Sequence, residues 1–273
     1  MRFRDLIDYL DEQFPKELSP SRDNDGVDVC VDYNLEIGRV LVVLDVTFEV
    51  IDYAVTNGYN CVISHHPMIY QPLGKLDLST SASKKAVMLA RHNICAAAFH
   101  IRLDCVEGGV NDSLLKAAGI LKDAEKIELL IAPEDNNLPV GRVVTLKESK
   151  EKNLDNFVRD IKKALKKFYK TEFGVDADFH VNCAYKNKIV KKIGVVSGSG
   201  MGFEKIAVEM GADTFLTGEG KYHDLLEAYD FLDINIITAG HFETEAVVLP
   251  FIKRKIIERF PDAKVDCFVG DNV

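Results

Sequence analysis

Three short runs that are apolar at nearly every position constrain the fold most. Arg39 to Leu44 reads RVLVVL and stops at Asp45, and Asn60 to Ile63 and Ile94 to Phe99 repeat the pattern with helix-like segments between them. A strand that is apolar throughout, rather than alternately, has both faces covered. Strands of this kind alternating with helices imply βαβ units, hence an α/β fold with largely parallel sheets. The same rhythm returns at Lys192 to Val196, Thr214 to Leu216 and Ile234 to Thr238, each followed by glycine and a helical pattern.

The remaining stretches fill in around these strands. Phe3, Leu6, Ile7, Leu10 and Phe14 recur at helical spacing until Pro15 stops the run, and a polar loop from Ser19 to Gly26 follows. From about Ala124 the texture changes: APEDNNLP reads as a loop before a strand from Val140 to Leu146. Leu154, Phe157, Val158, Ile161, Leu165 and Phe168 mark an amphipathic helix whose lysine-rich outer face is read as solvated. A last helix is expected from Glu243 to Arg259, before a final strand near Val265 to Val269.

With 273 residues there is ample length for one large or two modest domains. The chain carries 34 basic and 43 acidic residues, net −9, and so lacks the broad positive surface that nucleic-acid binding needs. No apolar stretch approaches the ~20 residues of a membrane helix, and the acid-containing start is unlike a signal peptide. A cytoplasmic chain with no membrane or nucleic-acid partner is expected. The six cysteines (Cys30, Cys61, Cys95, Cys105, Cys183, Cys267) form no CxxC pair, which points to reduced, mostly buried thiols.

Four groups of ligand-type residues lie just past predicted strands: His65 with His66, His100 with Asp104, Glu219 with His223, and His241 with Glu245. In parallel sheets such loops share the carboxyl edge of the strands, where ligands bind. His241 and Glu245 are four apart and share one face once a helix forms there. His65 and His66 would point oppositely in a strand, but in a loop each could serve a different ion of a pair. Imidazole with carboxylate suits Zn, Fe, Mn, Ni or Co rather than Ca or Mg. A carboxylate such as Asp104 or Glu245 could bridge two ions about 3.5 to 4 Å apart, an arrangement that activates water, so the implied chemistry is hydrolytic. His92 and His180 have no such companions and are read as ordinary surface or core residues. Ser197-Gly198-Ser199-Gly200 opens a glycine-rich turn that is either a phosphate contact or simply a tight strand-to-helix connection.

In chain order the blocks are DNDG at Asp23, VLVVLDVT at Val40, ISHHPMIY at Ile63, HIRLD at His100, GGVNDSLL at Gly108, SGSG at Ser197, GADTFLTGEGKYHD at Gly211 and AGHFETE at Ala239. Together they make the chain resemble the Nif-three-like family of dinuclear-metal hexameric proteins, whose members carry the name GTP cyclohydrolase 1 type 2 homologue. The resemblance implies His65, His66, Asp104, His241 and Glu245 as ligands of two divalent ions per subunit, such as Zn, Fe or Mn. It also implies a ring-like homohexamer and two intertwined α/β parts: 1–125 completed by 235–273, and 126–234. Longer members carry an inserted middle domain, and this chain looks like the short form.

The function implied is that of a dinuclear-metal hydrolase, in which metal-bound hydroxide attacks the purine imidazole ring of GTP and the ring carbon leaves as formate. Glu219 or His223 would then shuttle protons, His100 would contact substrate, and Ser197 to Gly200 would hold the triphosphate. Two other readings stay open: a nucleotide phosphoester hydrolase, and a non-enzymatic metal-binding or regulatory ring with a protein partner. The chain departs from the family where T-H-T-N-L-D is common, since Phe99 and Arg102 replace a threonine and an asparagine. Glu219 stands where aspartate is common.

Overall fold

In the computed structural model, which describes residues 1–184 and 189–270, the apolar runs become inner strands of two α/β units. One unit is Met1–Leu103 with the chain from Leu249 onward; the other is Asp104–Val248. The second unit is thus inserted, along the chain, between two segments of the first.

The first unit holds a five-stranded sheet in the order Gly26–Val29, Cys95–Ala98, Cys61–Ser64, Arg39–Val43, Lys264–Cys267. The last four strands are mutually parallel, and Gly26–Val29 is an antiparallel edge. Leu41, Val43, Val62 and Ala96 pack beneath Ile51, Ala54 and Leu89 of the helices Phe48–Thr56 and Ser81–Arg91. Both helices start on threonine caps: Thr47 accepts from the Val50 amide and Thr80 from the Ser83 amide. The opening helix, Phe3–Gln13, buries Phe3, Leu6, Ile7 and Leu10, the residues at helical spacing in the sequence.

The second unit holds a six-stranded sheet in the order Ala124–Ala132, Leu138–Leu146, Lys192–Val195, Thr214–Thr217, Asn235–Thr238, Asn182–Ala184. Its centre, Lys192–Val195 to Asn235–Thr238, is parallel, and antiparallel strands flank it on both sides. A separate antiparallel pair joins Lys152–Asn153 to Ile189–Val190. The helix Leu154–Phe173 buries Leu154, Phe157, Ile161, Leu165 and Tyr169 and ends at Gly174, whose φ of 75° supplies the left-handed stop.

Three expectations change. Ala124–Ala132 is a strand paired with Leu138–Leu146, and within APEDNNLP a 3-10 turn at Pro133–Asp135 leads to Asn136 and Asn137, both at positive φ, which reverse the chain. The expected last helix is broken into His241–Glu245, a 3-10 turn Ala246–Val248, and Leu249–Arg259. Pro250 lies at the second position of the new helix, where a missing N–H costs nothing. The unit boundaries also fall at 104 and 249 rather than near 125 and 235. Asn235–Thr238 bonds in parallel to Thr214–Thr217, and helix Val110–Ala117 packs on His241–Glu245 and on Leu138–Leu146, so these segments go with the second sheet.

The cysteines are free thiols, with Cys61, Cys95 and Cys105 buried and the other three half-buried. Among the described residues no helix is long and apolar enough to cross a membrane.

Candidate metal centre

In the first unit, three neighbouring parallel strands end in ligand-type residues on one edge. Arg39–Val43 leads to Asp45, Cys61–Ser64 to His65 and His66, and Cys95–Ala98 to His100. One potential ligand atom from each of His65, His66 and His100 lies within 4.8 Å of the others. The ring centroids of His65 and His66 are 4.9 Å apart, and His100 is 5.4 and 5.5 Å from them. His100, expected to touch substrate, therefore sits with the histidines expected to hold metal.

Each ring is held through its Nδ1. His65, wholly buried, bonds the Phe99 carbonyl at 3.0 Å, which accepts only, so this Nδ1 carries the proton. His66 bonds Asp45 Oδ1 at 2.8 Å and His100 bonds Asp23 Oδ1 at 2.9 Å. Burial pushes the Asp23 carboxyl up, but bonds from His100 and from the Ile101 and Asn24 amides outweigh it and hold the group below its ordinary value. With Nδ1–H donated, Nε2 of each ring is the lone-pair nitrogen, the form in which histidine binds metal. Asp28 accepts from the Met68 and Ile69 amides at 3.0 and 3.1 Å and so pins the loop after His66.

The second unit repeats this plan at its own parallel strands, with Ser197 after Lys192–Val195, Glu219 after Thr214–Thr217 and His241 after Asn235–Thr238. His241 gives Nδ1 to Glu219 Oε1 at 3.0 Å, and its Nε2 lies 3.0 Å from Glu245 Oε2. A lone-pair nitrogen facing a carboxylate at that distance calls for a proton or a cation between them. The helix His241–Glu245 is fastened by Thr244, whose hydroxyl accepts from the Gly198 amide, and by the buried Tyr169, whose hydroxyl donates to the Glu243 carbonyl at 3.1 Å. Burial drives the Tyr169 phenol well above its ordinary value, so it stays a donor.

Asp104 lies four residues after His100 on the short helix Ile101–Cys105, with one carboxylate oxygen shut off from solvent. Asn111 braces this segment: its amide donates to the Asp104 and Val140 carbonyls at 3.1 and 2.9 Å, and its oxygen accepts from the Ser197 amide at 3.0 Å. Burial, with Asp104 beside it, pushes the Cys105 thiol up to about 12.

Other expected site residues fare differently. The Ser197 to Gly200 turn spends its amides inside the protein: Ser197 on Asn111, Gly198 on Thr244 and Gly200 on Thr217. These three amides are committed to partners within the protein. Gly198 is required there, because a Cβ on it would meet Glu245 Oε1 at 1.8 Å. Ser199 instead lines, with Met201, Glu219, Gly220, Lys221 and Asp224, a cleft of about 390 Å³. His223 is 74% exposed and contacts Asp224 at 3.1 Å, while Glu219 supports His241. Arg102 is wholly buried, and His92 and His180 are exposed. Sequence reading missed Asp23, Asp45 and Gly198 as supports; Asp45, at a strand's carboxyl end, satisfies the same rule that picked out the histidines.

The family described as Duf34/NIF3 (NGG1p interacting factor 3) matches residues 1–272. A Clostridium perfringens protein named GTP cyclohydrolase 1 type 2 homolog is 32% identical over 99% of this chain and 96% of its own length. A Clostridium acetobutylicum protein of the same name is 28% identical over 94% of this chain and 90% of its own. The crystal structure of the Staphylococcus aureus hypothetical protein SA1388 superposes with a TM-score of 0.83 at 26% identity, covering 100% of this chain and 97% of that one.

Proposed function

The chain belongs to the Duf34/NIF3 family, and from that premise we propose that it is a metal-dependent hydrolase of the GTP cyclohydrolase 1 type 2 kind. The observation that carries this reading is the shared orientation of four imidazoles, each giving Nδ1 to an acceptor and keeping Nε2 as the ligand nitrogen. Neutral imidazole with carboxylate is a donor set for Zn, Fe or Mn. Surface histidines without a task have no reason to be held alike.

In this reading His65, His66, Asp104, His241 and Glu245 would hold two divalent ions. Such ions, when bound, lower the pKa of water to about 7 and supply a nucleophile at neutral pH. Asp45 and Glu219 set the tautomer and aim of His66 and His241; Glu219 therefore orients rather than shuttles protons. His100 stands beside the ligands, available to substrate. The cleft at Ser199 offers Lys221 to the anionic part of a nucleotide. The relatives' name points to GTP, its imidazole ring opened with loss of formate. A cytoplasmic, ring-shaped homohexamer belongs to the same reading.

Incubating protein reconstituted with Zn, Mn or Fe with a nucleotide panel, and weighing the products, tests this. Formate with a ring-opened guanine nucleotide is the expected result. Phosphate or nucleoside with an intact ring would make it a phosphoester hydrolase, and no turnover with any metal would turn the reading towards a binding protein.

A further inference from the structure

Arg102 and Phe99 are among the departures from the family's pattern; Arg102 contacts, and Phe99 supplies, groups that hold the histidine cluster. Arg102 donates from Nε to Asp25 Oδ2 at 2.7 Å, and from Nη1 to Asp11 Oδ1 at 2.7 Å and the Phe14 carbonyl at 3.0 Å. Its guanidinium carbon lies 4.5 Å over the Phe99 ring. Burying a charge this completely is costly unless the ion pairs and hydrogen bonds are good, so the arrangement calls for a reason.

The partners of Arg102 supply one. The Phe99 carbonyl is the acceptor that orients His65. Asp25 accepts the backbone N–H of His100 at 3.4 Å, and in the same loop Asp23, 1% exposed, accepts from His100 Nδ1 and from the Ile101 amide. A planar guanidinium can bond two carboxylates and stack on an aromatic ring at once; asparagine and lysine cannot. We infer that Arg102 is a positioning residue for the cluster: one buried guanidinium fixes both the Phe99 carbonyl that orients His65 and the Asp23 to Asp25 loop that orients His100. The aromatic ring at position 99 and the guanidinium at 102 form one device. The inference rests on reading the cluster as a ligand site, but its first test needs no ion.

Metal-free protein labelled with 15N-histidine reports, through its imidazole nitrogen shifts, which ring nitrogen carries the proton. Arg102→Lys keeps the charge and loses the fork and the stacking; Asp25→Asn cuts the same link from the other side. In both variants His65 and His100 are expected to leave the single Nδ1–H form, while His66, held by Asp45, keeps it. Zinc affinity should fall about tenfold or more, as for other residues that support metal ligands. Unchanged spectra in a folded variant, even with a lower melting temperature, would overturn the inference, as would His66 changing together with His65 and His100. If Arg102→Lys does not fold, Asp25→Asn decides alone. A selective change at His65 and His100 in a protein that binds no metal would sink the hydrolase reading and leave this one standing.

Discussion

Replacing Gly198 by alanine separates the two jobs that the SGSG turn has been given. Gly198 sits at φ +60°, and an added Cβ would lie 1.8 Å from Glu245 Oε1, 2.7 Å from its carboxyl carbon and 3.2 Å from His241 Nε2. The left-handed backbone costs a non-glycine residue about 1 kcal/mol. Turning Glu245 away from the Cβ adds about 1 kcal/mol of rotamer strain, for a total near 2 kcal/mol. In a chain of this size that is a drop of roughly 4 to 8 °C in melting temperature. The larger effect falls on metal: Glu245 loses its 3.0 Å approach to His241, and zinc affinity should drop at least about tenfold. Gly202 is the control, since it has φ +108° and nothing within 4 Å of an added Cβ. Gly202→Ala should lose stability and keep its metal. Competition titrations with a chelator, run beside thermal melts, read both quantities. Gly198→Ala binding zinc like wild type, or both variants losing it equally, would refute the argument.

Two further perturbations test one polar support in each unit. Burial, with Asp25 adding to it against the Met68 and Ile69 amides, pushes the Asp28 carboxyl up to about 6. The unfolded chain gives up this proton first, near pH 4, so stability falls as pH rises from about 4 to 6, by about 3 kcal/mol. Urea unfolding across that range should show the loss in wild type and not in Asp28→Asn; parallel curves would contradict it. Asn111→Ala strands two carbonyls and an amide in the second unit and should cost about 3 kcal/mol or more in chemical denaturation, whereas a loss below about 1 kcal/mol would mean the brace is dispensable.

The inner strands were legible because both faces are covered: Arg39–Val43, Cys61–Ser64 and Thr214–Thr217 are apolar runs for that reason. Ala124–Ala132 was not, because it is an edge strand with Glu125, Lys126 and Glu128 among its residues and Ile127 and Leu129 exposed, which blurs the pattern. The histidines at strand ends could be picked out since the parallel topology places such ends on one edge. Their supports could not: Asp23 and His100 are 77 residues apart, Glu219 and His241 are 22 apart, and only the folded chain makes them partners. The same holds for Arg102. As a residue type it reads as a surface charge, and only its contacts with Asp11, Asp25 and Phe99 show it to be buried.

Metal content per chain tests the central claim most directly. Wild-type protein and Glu245→Ala, each reconstituted with zinc, desalted and analysed by plasma mass spectrometry, should hold about two ions and measurably fewer, respectively, with both chains folded. Full occupancy in Glu245→Ala, or none in wild type, would contradict the account.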